Sequence, residues 1–301
     1  MKTVRFFKPV FLLFFCVFFL FNCKKEKITT YENLVIDGNT PPPYYGVTDI
    51  QIEQYVSKLY IDITGKQPTQ TDIDFGRVIL YNDRLSMVAR DTVISRMMRK
   101  KEYYDRVYNN AKSKFIQGIN DFQLNQEILT QDYVIGILYA RGDTFLAQVT
   151  EVNRDKLILL RDADSLYQIG AISVNKFYSI FTDNTFYDNI NMGSLNFVKA
   201  CFEDYFLRSA TQSETTEGVK MVDGESKIIL RQNGNSKDDF IKIVTESDEF
   251  YEGLVRDNYR AYLSRDPTSN EAHKATVEFK SSNDLKEMKK SILKTDEYAG
   301  F

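Results

Sequence analysis

Asp162 and Asp164, in Arg161-Asp162-Ala163-Asp164-Ser165, are the carboxylates of this chain whose spacing could hold a cation or supply half of an acid/base pair. The same pattern also makes a solvated turn or a helix start, the more frequent use of such a charged run. Chemistry elsewhere is sparse. His273 is the sole histidine of the 301 residues, so it cannot join a multi-histidine zinc site, and no serine or cysteine triad gathers near it. Its place just after Thr268-x-x-Glu271 marks an ordinary surface position on a helix. Asp266-Pro267-Thr268-Ser269-Asn270 opens like a calcium loop, but Glu271 stands where the sixth-position glycine belongs and Val277 where the twelfth-position glutamate belongs. Glu246, Asp248 and Glu249 sit at a recurring position that argues for local capping or ion pairing. The sequence offers no metal or cofactor motif.

The three cysteines divide by position. Lys2, Arg5 and Lys8 precede an uncharged, apolar run over residues 9–21, the layout of a secretory signal peptide. That run is shorter than the roughly 20 residues needed to span a bilayer. Leu20-Phe21-Asn22-Cys23 follows it and resembles a relaxed lipobox of bacterial lipoproteins. The resemblance implies removal of residues 1–22, lipid attachment at Cys23, and a cell-envelope address, most simply the outer membrane, with the membrane as a partner through the anchor. Cys16 would then be removed and Cys23 acylated, leaving Cys201 as a small buried apolar residue and no intramolecular disulfide. Stability must come from a hydrophobic core, for which about 280 residues are ample.

Loss of Lys2, Arg5 and Lys8 leaves 36 basic against 42 acidic residues, a net charge of −6. No stretch concentrates enough lysine or arginine to follow a phosphate backbone, so nucleic acid is not an expected partner. Residues 23–48 are polar, contain Asp37-Gly38-Asn39 and Pro41-Pro42-Pro43, and read as a tether.

Three threonines, Thr69, Thr211 and Thr268, anchor an internal repeat. Each is followed three residues later by a carboxylate (Asp72, Glu214, Glu271) and preceded three residues earlier by a base (Lys66, Arg208, Arg265). Further upstream, Tyr60, Phe202 and Tyr259 align, as do Val56, Val198 and Val255, at spacings that share one helix face. Thr-x-x-Asp/Glu is a capping box that opens the next helix. Glu102-Tyr103-Tyr104, Glu249-Phe250-Tyr251 and Glu297-Tyr298 close the three units. The expected fold is therefore mainly α, with related capped-helix modules at residues 49–108, 195–252 and 253–301. The middle module carries an extra loop or small hairpin around residues 222–235.

Residues 109–194 break the pattern and read as a mostly helical insertion. Ile128, Tyr133, Ile137 and Leu138 fall at helical spacing, residues 145–160 suit helix or strand, and the Asn- and Asp-rich residues 183–194 read as a long loop. Tyr44, Tyr45, Phe186 and Tyr187 are the aromatics expected to make exposed contacts.

Tyr259-Arg260-Ala261-Tyr262-Leu263-Ser264-Arg265-Asp266-Pro267 and Ser247-Asp248-Glu249-Phe250-Tyr251 resemble motifs of phycobilisome linker domains and of helical repeats in bacterial extracellular proteins. Ile63-Thr64-Gly65-Lys66-Gln67-Pro68-Thr69 is similar to a rhythm in cytochrome-associated bacterial domains, although no haem attachment sequence is present. These resemblances imply helical packing or linking more than a reaction. The expected role is a lipid-anchored binding or scaffolding protein with a protein partner in the envelope; the contrasting expectation is an envelope hydrolase using Asp162 and Asp164.

Overall fold

Thr48, Thr69, Asn120, Thr211 and Thr268 open helices with the same reciprocal hydrogen bonds. Each side chain accepts the N–H three residues on, and the side chain found there accepts the N–H of the cap. The computed structural model describes residues 46–301, which lie in one compact unit. They form fifteen helices and one two-stranded ribbon, and the architecture is mainly α. The helices are α1 (Asp49–Thr64), α2 (Gln70–Asn82), α3 (Met87–Met98), α4 (Lys101–Ile116), α5 (Asp121–Ala140), α6 (Thr144–Gln168), α7 (Val174–Thr182) and α8 (Thr185–Ile190). After them come α9 (Ser194–Phe206), α10 (Gln212–Val222), β1 (Lys227–Ile229), β2 (Gln232–Gly234), α11 (Lys237–Glu246), α12 (Asp248–Leu263), α13 (Ser269–Ser282), α14 (Leu285–Leu293) and α15 (Asp296–Ala299).

One corner recurs four times. Helices α1, α4, α9 and α12 each end in a left-handed residue, Gly65, Gln117, Leu207 and Ser264, and a capping box follows within four residues. At two corners the paired helices meet through a glycine. A Cβ on Gly76 of α2 would lie 2.8 Å from Val56 of α1, and one on Gly218 of α10 would lie 2.9 Å from Val198 of α9. A tighter crossing is that of α12 over α9, where a Cβ on Gly253 would stand 1.9 Å from the Tyr205 carbonyl oxygen. The module boundaries drawn from sequence, 108/109 and 252/253, fall inside the continuous helices α4 and α12. Helix α12 carries the closing residues Glu249-Phe250-Tyr251 at its start and the next corner at its end.

The chain's first helices close on its last. Tyr55 on α1 donates to the Leu293 carbonyl (2.9 Å), Tyr298 donates to Asp62 (2.7 Å), and buried Arg90 reaches the Lys294 carbonyl (2.6 Å) and Asp296 (2.7 Å). At the centre Phe115, Tyr178, Phe181, Tyr205 and Phe250 meet edge to face, tilted or stacked, with neighbouring centroids 5.0–6.2 Å apart.

One local expectation is corrected, and one open alternative resolves as helix. Residues 183–194 are not a long loop: Asn184, itself buried, caps the short helix α8, accepting the N–H groups of Phe186 and Tyr187 while its amide donates to Ile180 and Phe181. The asparagine that signalled a loop is a helix cap. Residues 145–160 lie within α6; their β-branched residues are accommodated because Ala147, Thr150, Leu157 and Leu160 form one buried stripe. The extra segment of residues 222–235 does contain a hairpin, with Ile229 opposite Gln232.

Candidate functional site

The recurring bases are used as electrostatic ties. Arg208 forks onto two carboxylates at once, Glu249 (2.6 and 3.0 Å) and the capping Glu214 (2.7 and 2.9 Å). Arg265 repeats this on Glu297 (2.6 and 2.6 Å) and Glu271 (2.8 and 2.9 Å). The guanidiniums hold Glu214 and Glu271 down to about 2, helped by the capping threonines. In the first corner the work is divided: Lys66 takes Glu102 (3.3 Å) and Lys100 takes Asp72 (3.2 Å). A lysine is a point charge and does not offer the planar fork that serves two carboxylates together. These groups are matched to one another within the chain, which makes them joints of the scaffold and not a reaction centre.

Asp162 and Asp164 do not converge. Both lie on α6 two residues apart, a spacing that points side chains to different sides of a helix. Asp162 is tied to Arg161 (2.8 and 3.0 Å), which lowers its carboxyl pKa, and Asp164 accepts from the N–H and hydroxyl of Ser165. No group of three or more His, Cys, Asp or Glu capable of holding a metal occurs among the described residues. Glu249 and Asp248 pair with Arg208 and Lys280.

The expected exposure of Phe186 and Tyr187 is corrected. Tyr187 is fully buried, its hydroxyl donating to Asp204 (2.8 Å) beneath Phe197, and Phe186 is half-buried against the core. Burial raises the pKa of Asp204. Tyr44, Tyr45 and Cys23 lie outside the described residues. Cys201 is fully buried, and burial pushes its thiol up, as suits an apolar core position.

Several cavities are lined by polar groups, among them three between helices. A groove of about 780 Å³ between α12 and α13 contains exposed His273, with Arg256 paired to Glu252 and Lys280 to Asp248 on its walls. A second of about 530 Å³ lies between α7 and α11. A smaller one, about 120 Å³, is lined by the buried Lys289, whose amine lies 5.3 Å from the Tyr103 ring centre.

The largest departure from the recurring corner is the α5–α6 hairpin. Helix α5 packs along α6 through Leu124, Ile128, Ile135 and Leu138, and Asp132–Arg154 (3.0 Å) and Tyr139–Glu151 (3.1 Å) fasten the pair. Ile135, Leu138 and Ala147 are buried but lie outside the main core, so the outer half of the hairpin rests on itself. Both outward faces are apolar. Helix α5 exposes Phe122, Leu129 and Tyr133, and α6 exposes Phe145, Val149 and Val152. The sequence spacing groups Tyr133 with Ile128, yet the structure puts it on the opposite side of α5, 71 % exposed. A helix apolar on nearly every side is the signal that this segment needs more than one neighbour.

Comparison with protein-family models, with curated proteins and with solved structures finds no match to this chain.

Proposed function

We propose that this chain is a lipid-anchored cell-envelope protein, held at the outer membrane through Cys23, that works by binding and scaffolding a protein partner. The observation that carries the reading is the α5–α6 hairpin: a projecting, internally fastened element with apolar outer faces on a body whose recurring corner arginines are paired with carboxylates of the same chain. Scattered exposed apolar residues are ordinary, but a stripe of them along each outer face of one hairpin marks an interaction surface. The polar tether before residue 46 would set the body off from the membrane, and no helix among the described residues is long and apolar enough to cross it.

Two measurements test the reading. Palmitate labelling in cells should be lost in Cys23→Ser, and retention of label there would refute the anchor. Photo-crosslinkers placed at Phe145 and Leu129 of the native chain should yield discrete protein adducts, whereas a probe at Asp74 on α2 should not. Efficient photolysis with no protein adduct from either hairpin face would refute the binding role.

A further inference from the structure

The outer face of α5 carries a regular line of mostly apolar residues. Phe122, Gln126, Leu129, Tyr133, Gly136 and Ala140 follow one another at alternating steps of four and three, the spacing of a two-helix seam. No charged residue lies on this line; Asp121, Glu127 and Asp132 of α5 all fall off it, and depletion of charge is typical of an interface core. Laid antiparallel on a second α5, the line is self-complementary: Phe122 falls opposite Ala140, Gln126 opposite Gly136, and Leu129 opposite Tyr133. At the first two pairings a large side chain faces a small one, the arrangement that lets two helices interdigitate.

Gly136 is an independent observation. The other helical glycines, Gly76, Gly218 and Gly253, are each met by a neighbouring helix within 3 Å of where a Cβ would be, but at Gly136 nothing lies within 4 Å. Glycine inside a helix is unfavourable, and here no neighbour among the described residues requires it. A second helix crossing close at that point would.

The exposed side chains supply about half of the area a standard interface needs. Helix α5 spans about 30 Å, and Phe122, Leu129 and Tyr133, at 71, 59 and 71 % exposure, present about 400 Å² of side chain towards the roughly 800 Å² per partner of a standard interface. Gln126, Ile137, Ala140 and the backbone at Gly136 extend the same ridge.

We infer that the occupant of this face is the α5 helix of a second copy of this chain, forming a two-fold antiparallel pair between hairpins. The inference rests on the reading of the hairpin as a binding element and names its partner.

The test is disulfide trapping in cells that co-express two differently tagged full-length copies, with the unsubstituted chain as background. Leu129→Cys with Tyr133→Cys, and Phe122→Cys with Ala140→Cys, should give disulfide-linked heterodimers. Phe122→Cys with Tyr133→Cys should not, because that pair is seven residues out of register, about 10 Å along the helix and beyond disulfide reach. Gly136→Leu, which meets nothing in the monomer, should fold normally by circular dichroism yet lose the trapped dimer. Equal trapping of matched and mismatched pairs, no trapping at all, or persistence of the matched disulfide in Gly136→Leu would overturn the inference. A photo-adduct from Leu129 to a different protein, with no trapped dimer, would overturn it too while leaving the binding role standing. Absence of both adducts and dimer would remove the binding role as well.

Discussion

Lys289 gives the sharpest handle on the energetics of this fold. Its ammonium is buried, with the Arg106 charge also acting on it, and burial first and that charge second depress its pKa from 10.5 to about 8. A depression of that size corresponds to about 3 kcal/mol of unfavourable folding free energy while the amine is protonated. Below pH 8 both folded and unfolded chains hold the proton, so the full cost is present. Between pH 8 and 10.5 the unfolded chain still holds the proton that the folded chain has released, and this group's contribution to stability rises with pH. Above 10.5 the amine is neutral in both states and the cost is gone. Lys289→Met keeps the volume and removes the charge. We expect it to be more stable than the parent by up to about 3 kcal/mol at pH 7, with the advantage shrinking through pH 8–10.5. Urea unfolding of the two proteins at pH 6, 7, 8, 9 and 10, read by far-ultraviolet circular dichroism, measures the difference. A gap that does not change with pH, or a methionine variant less stable than the parent at pH 7, would refute the claim that the buried charge is a liability.

Gly253→Ala should lower stability by about 1–3 kcal/mol or more, because the new methyl would stand 1.9 Å from the Tyr205 carbonyl; chemical denaturation decides it, and a neutral result would mean that α9 and α12 are not so close. Thr211→Ala and Thr268→Ala should each cost about 1 kcal/mol, measured by thermal unfolding at pH 7. Glu214 and Glu271 have folded pKa values lowered from 4.5 to about 2, so their contribution is complete above pH 4.5 and is lost as pH falls towards 2. Arg208→Gln and Arg265→Gln should therefore flatten the fall in melting temperature between pH 5 and 2.5. Asp162→Ala and Asp164→Ala should each leave the melting midpoint nearly unchanged, within about 0.5 kcal/mol, as expected of half-buried side chains whose hydrogen bonds are to the adjacent residue.

What could be read from sequence was whatever is encoded locally. The Thr69, Thr211 and Thr268 capping boxes are three-residue signals whose hydrogen bonds form within the signal itself, and all three appear in the structure. Asn120-x-x-Gln123 does the same work with amides in place of a hydroxyl and a carboxylate, and a search framed on threonine passes over it. The misplaced aromatics show the limit of such reading. Phe186 and Tyr187 stand among asparagines and aspartates, yet Asn184 turns inward to cap α8 and carries Tyr187 under Phe197, a contact made by a residue ten positions away. Tyr133 fails in the opposite direction: its spacing matches a core stripe, but the stripe that α6 covers is the other one. Lys289 and Gly253 give no local sign at all, since a buried amine and a glycine crossing are defined only by what tertiary packing brings against them.

The recurring corner explains why the hairpin is the place to look for function. At three corners the capped helix, α2, α10 or α13, runs 11–14 residues and lies back on the helix before it. At the fourth the capped helix is α5, 20 residues long, followed by the 25 residues of α6, and the pair extends beyond the shared core. The other corners suffice to close the body, as the contacts of Tyr55, Arg90 and Tyr298 between its first and last helices demonstrate, so the added length is not needed to close that joint. Ordering it costs conformational entropy, and its outer faces leave apolar surface in water. A second helix laid against Gly136 and Leu129 would cover that surface and give the interior glycine a reason to be there.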